Sequence, residues 1–262
     1  MQHQEVESPE ELRDTIKCFW YTSIDFGEQP STFEILPDGY AEIVFHFGSD
    51  CCSIATHEGL QPLPSPFIMG LLGKPVILHA KNRLEVIGIR CFPWTVFDLL
   101  GLPPGQDSVR MFEHPIAQMQ HSLNQWIQAG NVEEALAEVK NYFLNVRKKI
   151  ATNSMLFKAG AAMCKANGTI LVSEVAAAAH ATVRTLERNF KQAAGHTVKD
   201  VSGLMRFEQV RNHLWCYPDV NLASLAQELG YADQAHLSRE FKRSTGTTPA
   251  AFARKVKTDN KG

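Results

Sequence analysis

Two segments in the second half of the chain carry basic, amide and small polar side chains three or four residues apart, a spacing that places them on one face of a helix. Arg and Gln side chains form bidentate hydrogen bonds with guanine and adenine in the DNA major groove. Lys and Arg side chains also neutralise backbone phosphates. One such face alone is equally typical of a solvated helix, so the interpretation depends on the elements that carry the two segments. The residues are Arg184, Glu187, Arg188 and Lys191 in the first segment, and Gln234, Ala235, Ser238, Arg239, Lys242 and Arg243 in the second.

The two segments occupy the same place in an internal repeat of about 51 residues. Each copy has the pattern of a short helix, a tight turn, a second helix and a terminating glycine, which is typical of a helix-turn-helix unit. Because both copies hold the polar face in one register, the pattern favours two DNA-reading helices over two solvated surfaces. The matching pairs, 51 residues apart, are Leu186 with Leu237, Phe190 with Phe241, Gly195 with Gly246, and Thr197 with Thr248.

Local signals predict the ends and the core of each unit. In the second copy, Gly230 is expected in the turn with a positive φ, and Asp233 is expected to cap the helix that follows. Thr182 is the corresponding cap in the first copy. Leu237 and Phe241 lie four residues apart and are predicted to face the core of the unit.

The charge of the chain is divided between its two halves. The whole chain has 26 Lys and Arg against 28 Asp and Glu, a net charge of −2. Residues 1–150 have a net charge of −8 and residues 151–262 a net charge of +6. This asymmetry predicts two domains with different partners, the basic one facing a polyanion. With 44% hydrophobic and 21% charged residues, the composition excludes a disordered chain and a fibre.

The first half of the chain has the two-residue alternation of β-strands. In the segment Glu42–Phe47, the apolar odd-numbered residues and the mixed even-numbered residues fall on opposite faces. Further strands are predicted at 75–80 and 83–92, with a tight turn between them. Several short strands separated by Gly and Pro predict a sandwich or a small barrel.

Residues 115–150 change to the helical period and predict two antiparallel helices joined by Gly130 and Asn131. The chain is therefore predicted to be an α+β multidomain protein. A β-rich regulatory domain is expected at 1–114, a helical hairpin that links or dimerises at 115–150, and an all-α DNA-binding domain at 151–262.

Motifs for catalysis or metal binding do not occur in the sequence. Glu42, His46, His57 and His79 come nearest to a metal set, but no H-x-H pair places two ligands on one strand face. No P-loop, G-x-S-x-G or G-x-G-x-x-G motif occurs either. We therefore predict no enzyme activity, no catalytic residue, no metal and no cofactor. The alternative is a β-barrel enzyme with a DNA-targeting domain.

Compartment signals favour the cytoplasm. The N-terminal segment is acidic and polar, which predicts no signal peptide, and no run of about 18 apolar residues predicts a membrane span. The cysteines form no CxxC pair and no zinc-type cluster, so reduced and mostly buried thiols are expected. They are Cys18, Cys51, Cys52, Cys91, Cys164 and Cys216.

The second copy of the repeat resembles the signature of the AraC/XylS transcription regulators. The resembling residues are Gly230-Tyr231-Ala232-Asp233, Leu237-Ser238-Arg239-Glu240-Phe241-Lys242 and Gly246-Thr247-Thr248-Pro249. The resemblance covers about residues 155–256. It implies a seven-helix domain with helix-turn-helix units at about 172–193 and 221–244, joined by a helix at about 198–214. The two recognition helices are then expected in successive major grooves, about 34 Å apart.

The family's base-contacting positions correspond here to Arg184, Glu187 and Arg188 in the first unit, and to Gln234, Ala235, Ser238 and Arg239 in the second. The sequence departs from the family pattern at His180, where a small turn residue is usual, and at Val198, where the second copy has Pro249.

The segments Leu36–Gly39 and Gly88–Pro93 are similar, less specifically, to the β-rich domain that precedes this module in one branch of the family. The resemblance implies double-stranded DNA as a partner and no membrane. It leaves open RNA polymerase, a small-molecule effector and a second copy of the chain.

Overall fold

The computed structural model describes residues 2–29, 31–48, 52–56, 59–102, 108–149 and 154–259. Strands dominate this structure up to residue 111, and the elements after it are helical. Within the described ranges, no helix is long and apolar enough to cross a membrane.

The strands of the first half form two antiparallel sheets. They are β1 (Gln2–Glu7), β2 (Ile16–Asp25), β3 (Ser31–Ile35), β4 (Ala41–Phe47), β5 (Cys52–Thr56), β6 (Gly59–Pro62), β7 (Phe67–Met69), β8 (Val76–Ala80), β9 (Arg83–Cys91) and β10 (Val109–Met111). The first sheet has the order β1-β2-β9-β4-β7-β10, and the second β3-β8-β5-β6. Val44 and Phe67 of the first sheet share a hydrophobic cluster with Leu78 and Ala80 of the second. The two sheets therefore pack face to face, which confirms the predicted β-rich architecture.

A helical hairpin covers the outer face of the first sheet. Helix α1 (Val96–Leu100) follows β9, and the hairpin consists of α2 (Met119–Gln128) and α3 (Val132–Arg147). Leu123 of α2 and Phe143 of α3 belong to the same buried cluster as Ile43 and Phe45 of β4. The hairpin is thus a third layer of the N-terminal unit, because the apolar stripes of both helices need a surface on which to be buried.

In the described residues after the hairpin, 154–259, the structure has seven helices. They are α4 (Ser154–Lys165), α5 (Val172–Ala178), α6 (Val183–Ala194), α7 (Val198–Cys216), α8 (Leu222–Glu228), α9 (Gln234–Thr245) and α10 (Pro249–Asp259). Helices α5 and α6 form one helix-turn-helix unit, α8 and α9 form the other, and α7 connects them.

The two units repeat the same helix ends. The Thr182 Oγ1 atom accepts a hydrogen bond from the Thr185 N–H at 3.2 Å, and the Asp233 Oδ1 atom accepts one from the His236 N–H at 2.6 Å. Both helices end at a left-handed glycine, Gly246 in the second unit with a φ of 73°. These caps satisfy backbone groups that a helix leaves unpaired at its ends, as the sequence predicted.

The turn between the two helices is left-handed in both units but has a different residue in each. Gly230 has a φ of 71°, as predicted, whereas His180 has a φ of 52° at the equivalent position. The backbone bonds are the same, because the Ala181 N–H bonds to the Ala176 carbonyl as the Tyr231 N–H bonds to the Ala226 carbonyl. A side chain at left-handed φ costs about 1–2 kcal/mol, so His180 stores strain that Gly230 avoids.

The cores of the two units differ in what they contain. The second unit has its own cluster, in which Leu237 and Phe241 pack with Phe207 of α7. The cluster of the first unit, around Phe190, also includes Leu71, Phe92 and Trp94 of the N-terminal half. The first helix-turn-helix unit is therefore packed into the N-terminal unit, and the second is not.

We expect His180→Gly to raise the free energy of unfolding by about 0.5–1 kcal/mol. Glycine removes the strain of the left-handed backbone, and its greater conformational entropy in the unfolded chain offsets part of this gain. Gly230→Ala, the matched change in the second unit, should lower it by about 1–2 kcal/mol. A Cβ at Gly230 would lie 3.6 Å from the Cβ of Thr169, an ordinary contact, so the effect is conformational. Urea unfolding of both variants measures this, and equal shifts in the same direction would contradict it.

Candidate nucleic-acid interface

The outer face of α6 carries the first predicted set of DNA-contacting residues. Arg184, Arg188 and Lys191 are exposed on it. Glu187 is half-buried, and its Oε2 atom accepts a hydrogen bond from the Val198 N–H at 3.2 Å. This bond fixes the start of α7 relative to α6, so Glu187 has a structural role that the sequence did not indicate.

The outer face of α9 carries the second set. Gln234, Ala235, Arg239 and Lys242 are exposed, and Ser238 is half-buried. Arg243 is exposed as well, and it pairs with Glu240 at 2.6 Å. An exposed pair three residues apart on a helix contributes little to stability, so this arginine can exchange its partner at small cost.

The two faces match position by position. Arg184 corresponds to Ala235, Glu187 to Ser238, Arg188 to Arg239 and Lys191 to Lys242, each 51 residues apart. The helices that precede them also match each other, since residues 171–180 and residues 221–230 have the same order of buried and exposed positions. Both units therefore present the same side of their second helix to solvent.

The cations on these faces are available for other partners. Among the described residues, Arg184, Arg188, Lys191, Arg239 and Lys242 have no acidic partner within ion-pair distance. Unpaired guanidinium and ammonium groups on two helices suit both the guanine edge and the phosphate backbone.

The inner side of α6 contacts the N-terminal half. The ring centroid of Trp94 lies 5.5 Å from that of Phe190 on α6. A Cβ at Gly160 of α4 would lie 2.2 Å from the Trp94 ring, so glycine is required there for the indole to fit. Helix α1 contacts α6 as well. The side of α6 opposite its exposed basic face is therefore packed against the N-terminal unit.

A cavity of about 410 Å³ lies inside the N-terminal unit. Most of its wall is apolar and comes from both sheets, and one end is polar. Asp38, Glu42 and Arg90 line the polar end together with Arg211 of α7. The Arg211 guanidinium donates a hydrogen bond to the Pro37 carbonyl at 3.1 Å. The helix that connects the two DNA-facing units thus forms part of the wall of this cavity.

Register explains the ion pairs at the polar end. Strand pairing places Glu42 of β4 directly opposite Arg90 of β9, and Arg90 Nε donates to Glu42 Oε1 at 2.8 Å. Arg90 also pairs with Asp38 at 3.4 Å. Burial raises the pKa of Glu42 and of Asp38, although the nearby Arg90 acts in the opposite direction. The cluster is therefore partly desolvated and depends on the guanidinium for its charge balance.

Of the residues considered for a metal site, Glu42, His46 and His79 lie within the described part of the chain. The His46 Nε2 atom lies 2.9 Å from the Leu63 carbonyl oxygen, and burial lowers the pKa of this histidine. His57 and Cys51 lie outside the described residues. In the ranges that the structure describes, no group of three His, Cys, Asp or Glu residues could hold a metal ion. Among the described cysteines, Cys18, Cys52 and Cys91 are buried.

Two family models match the chain. A helix-turn-helix domain family matches residues 175–255, which include both units and α7. The C-terminal part of the chain is therefore a helix-turn-helix domain of the AraC type. A second model, described as a domain of unknown function (DUF6597), matches residues 4–107. No curated protein sequence matches the chain.

Solved structures of AraC/XylS regulators are similar to this one. ToxT from Vibrio cholerae is 10% identical with a TM-score of 0.50, covering 90% of this chain and 98% of its own. ToxT from strain SCE256 of the same organism, with an unsaturated fatty acid bound, is 10% identical with a TM-score of 0.49, covering 90% and 94%. The DNA-binding domain of AdpA in complex with a target DNA is 21% identical with a TM-score of 0.38, covering 42% and 98%. At these identities the likeness concerns the fold.

We expect Arg239→Ala to weaken binding to the specific DNA site by about 1–3 kcal/mol and to relax the preference at one base pair, because the exposed guanidinium is free to pair with a guanine. Titration of labelled specific and random duplexes measures both effects. Lys255→Ala, which removes an exposed charge on α10, is the matched control and should change both affinities little. An equal loss on specific and random DNA would instead make Arg239 a phosphate contact.

Proposed function

We propose that this AraC/XylS regulator reads two successive major grooves, with α6 and α9 as its recognition helices. The observation that carries the proposal is the match between the two units, which expose the same positions of equivalent helices. Two helices of this kind on one protein suit one face of a duplex, about one helical turn apart.

The predicted residues divide into two roles in this proposal. Residues that read bases are Arg184, Arg188, Gln234 and Arg239, with Ala235 against a thymine methyl and Ser238 and Glu187 at neighbouring base edges. Lys191, Lys242 and Arg243 contact phosphates. The hydrogen bond from the Val198 N–H to Glu187 leaves the second carboxylate oxygen of this residue for a base.

The N-terminal unit is proposed to regulate DNA binding. Residues 1–114 form the regulatory domain and residues 151–262 the DNA-binding domain, with the hairpin at 115–150 available for dimerisation. A small effector in the cavity would touch Arg211 of α7 and so influence the helix that spaces the two units. The fatty acid bound to ToxT is a precedent within the family. The described residues offer no observation that favours the alternative of an enzyme.

Selection of bound DNA from random duplexes with the full-length protein tests the proposal. We expect one enriched motif with two parts whose centres are about 10 base pairs apart. Arg188→Ala and Arg239→Ala, the matched positions of the two units, should each degrade one part and leave the other. Binding that is salt-sensitive but blind to sequence would overturn the proposal.

A further inference from the structure

We propose that the cavity takes an amphipathic organic cation, with its apolar body between the two sheets and its protonated nitrogen at Asp38 and Glu42. This inference rests on one part of the proposed function, namely that the cavity is the effector site. It adds the chemical class of the ligand.

The charge of the cavity wall favours a cation. Four carboxylates line the cavity, two at the polar end and two on exposed strand positions, whereas only two guanidinium groups do so among the described lining residues. Glu208 of α7 adds another carboxylate beside the wall, 3.9 Å from Arg211. A cationic head would offset this excess of negative charge, and an anionic head would increase it. The charged lining residues are Glu5, Glu34, Asp38, Glu42, Arg90 and Arg211.

Both guanidinium groups already have acceptors. Arg90 donates to Glu42, pairs with Asp38, and lies over the Tyr40 ring at 5.5 Å. Arg211 donates to the Pro37 carbonyl and lies 3.5 Å from the Asn212 Oδ1 atom. The carboxylates of Asp38, Glu42 and Glu208 beside these arginines offset their positive charge, so the arginines are less favourable sites for an anion.

Glu42 has an acceptor to spare. Its Oε1 atom takes hydrogen bonds from Arg90 Nε at 2.8 Å and from Trp20 Nε1 at 3.3 Å. Among the described residues, its Oε2 atom has no hydrogen-bond donor. This oxygen can accept a hydrogen bond from a ligand, and an ammonium group supplies the donor together with a positive charge.

An aromatic face stands beside this carboxylate. Trp20 lines the cavity and pairs across the strands with Gly88. A Cβ at Gly88 would lie 2.0 Å from the indole, so the ring lies flat over the glycine and forms part of the wall. Carboxylates next to an aromatic face are the combination that binds organic ammonium groups, through charge and through the ring quadrupole.

The remaining wall defines the body of the ligand. Phe33, Val44, Phe67, Met69 and Leu84 line it from both sheets. A ligand with hydroxyl groups along its length would leave them unpaired against these side chains. A volume of about 410 Å³ suits a small organic molecule, so the occupant combines one polar end with an apolar body.

Three probes with one body and different heads test the class of ligand. They are 6-phenylhexylamine, 6-phenylhexanol and 6-phenylhexanoate, titrated into the full-length protein by calorimetry at neutral pH. We expect the amine to bind about tenfold or more tightly than the acid, with the alcohol between them. Glu42→Gln should remove most of this preference. Glu7→Gln, an exposed glutamate on the same strand as Glu5 but outside the cavity, should leave it unchanged.

Glu208→Gln provides a second variant in case Glu42→Gln fails to fold, since this residue lies on α7 and is not in the sheet. It should lower the preference for the amine about threefold, because its charge acts from a greater distance. A tighter complex with the acid, or equal affinity for all heads, would overturn the ligand class while leaving the cavity as a site. Binding of none of the probes would overturn both, and selection from random duplexes would still report on DNA reading.

Discussion

Trp94 packs against Gly160 of α4 and Phe190 of α6, and the relation between the two halves of the molecule depends on this contact. The indole is buried, and it stacks on Phe92 with a centroid distance of 5.1 Å. Burial of an aromatic side chain of this size contributes several kcal/mol, more than any surface ion pair of the chain. The first helix-turn-helix unit therefore depends on the N-terminal half for part of its core, as its hydrophobic cluster indicates.

Helices α6 and α9 are consequently not equivalent in how they are packed. Helix α9 is packed within a cluster made of the C-terminal helices alone. Helix α6 is packed against both halves of the chain. A shift of the N-terminal unit would thus move α6 more directly than α9 and change the spacing between them. In the proposed mode of binding, α6 and α9 contact one duplex at a fixed spacing, so such a shift would change their fit to the DNA.

Much of the C-terminal domain could be predicted because its signals are local. Capping by Thr182 and Asp233 and the left-handed turn at Gly230 each depend on a few neighbouring residues. The repeat then supplied the register that one unit alone could not establish. The roles of residues that connect distant segments of the chain were harder to predict. The roles of Arg211 and Glu187 were missed, because both depend on helix packing that no short pattern encodes.

The N-terminal half shows the same limit. Alternation in Glu42–Phe47 correctly separated the two faces of β4, but the even-numbered face resembled a half-solvated surface. It faces the second sheet and the cavity instead, since Glu42 and Val44 both line it. The signal for a polar site was a glutamate on one strand opposite an arginine on its neighbour. This signal can be recognised only when the register of β4 and β9 is known. Likewise, the sequence of residues 115–150 is typical of a helical linker. Only the structure shows that the apolar stripes of its two helices are packed on the first sheet.

A series of aromatic contacts connects the cavity with α6. Arg90 lies over Tyr40, whose ring centroid is 5.8 Å from that of Phe92, and Phe92 stacks on Trp94 next to Phe190. A continuous series of contacts does not itself couple the cavity to α6. Coupling also requires an element with two arrangements, whose equilibrium depends on what is bound at each site. The Trp94 contact carries one cost, because its buried Nε1–H has no acceptor among the described residues. An unsatisfied buried donor costs about 1–3 kcal/mol, so the docked arrangement is less stable than its packing alone would make it.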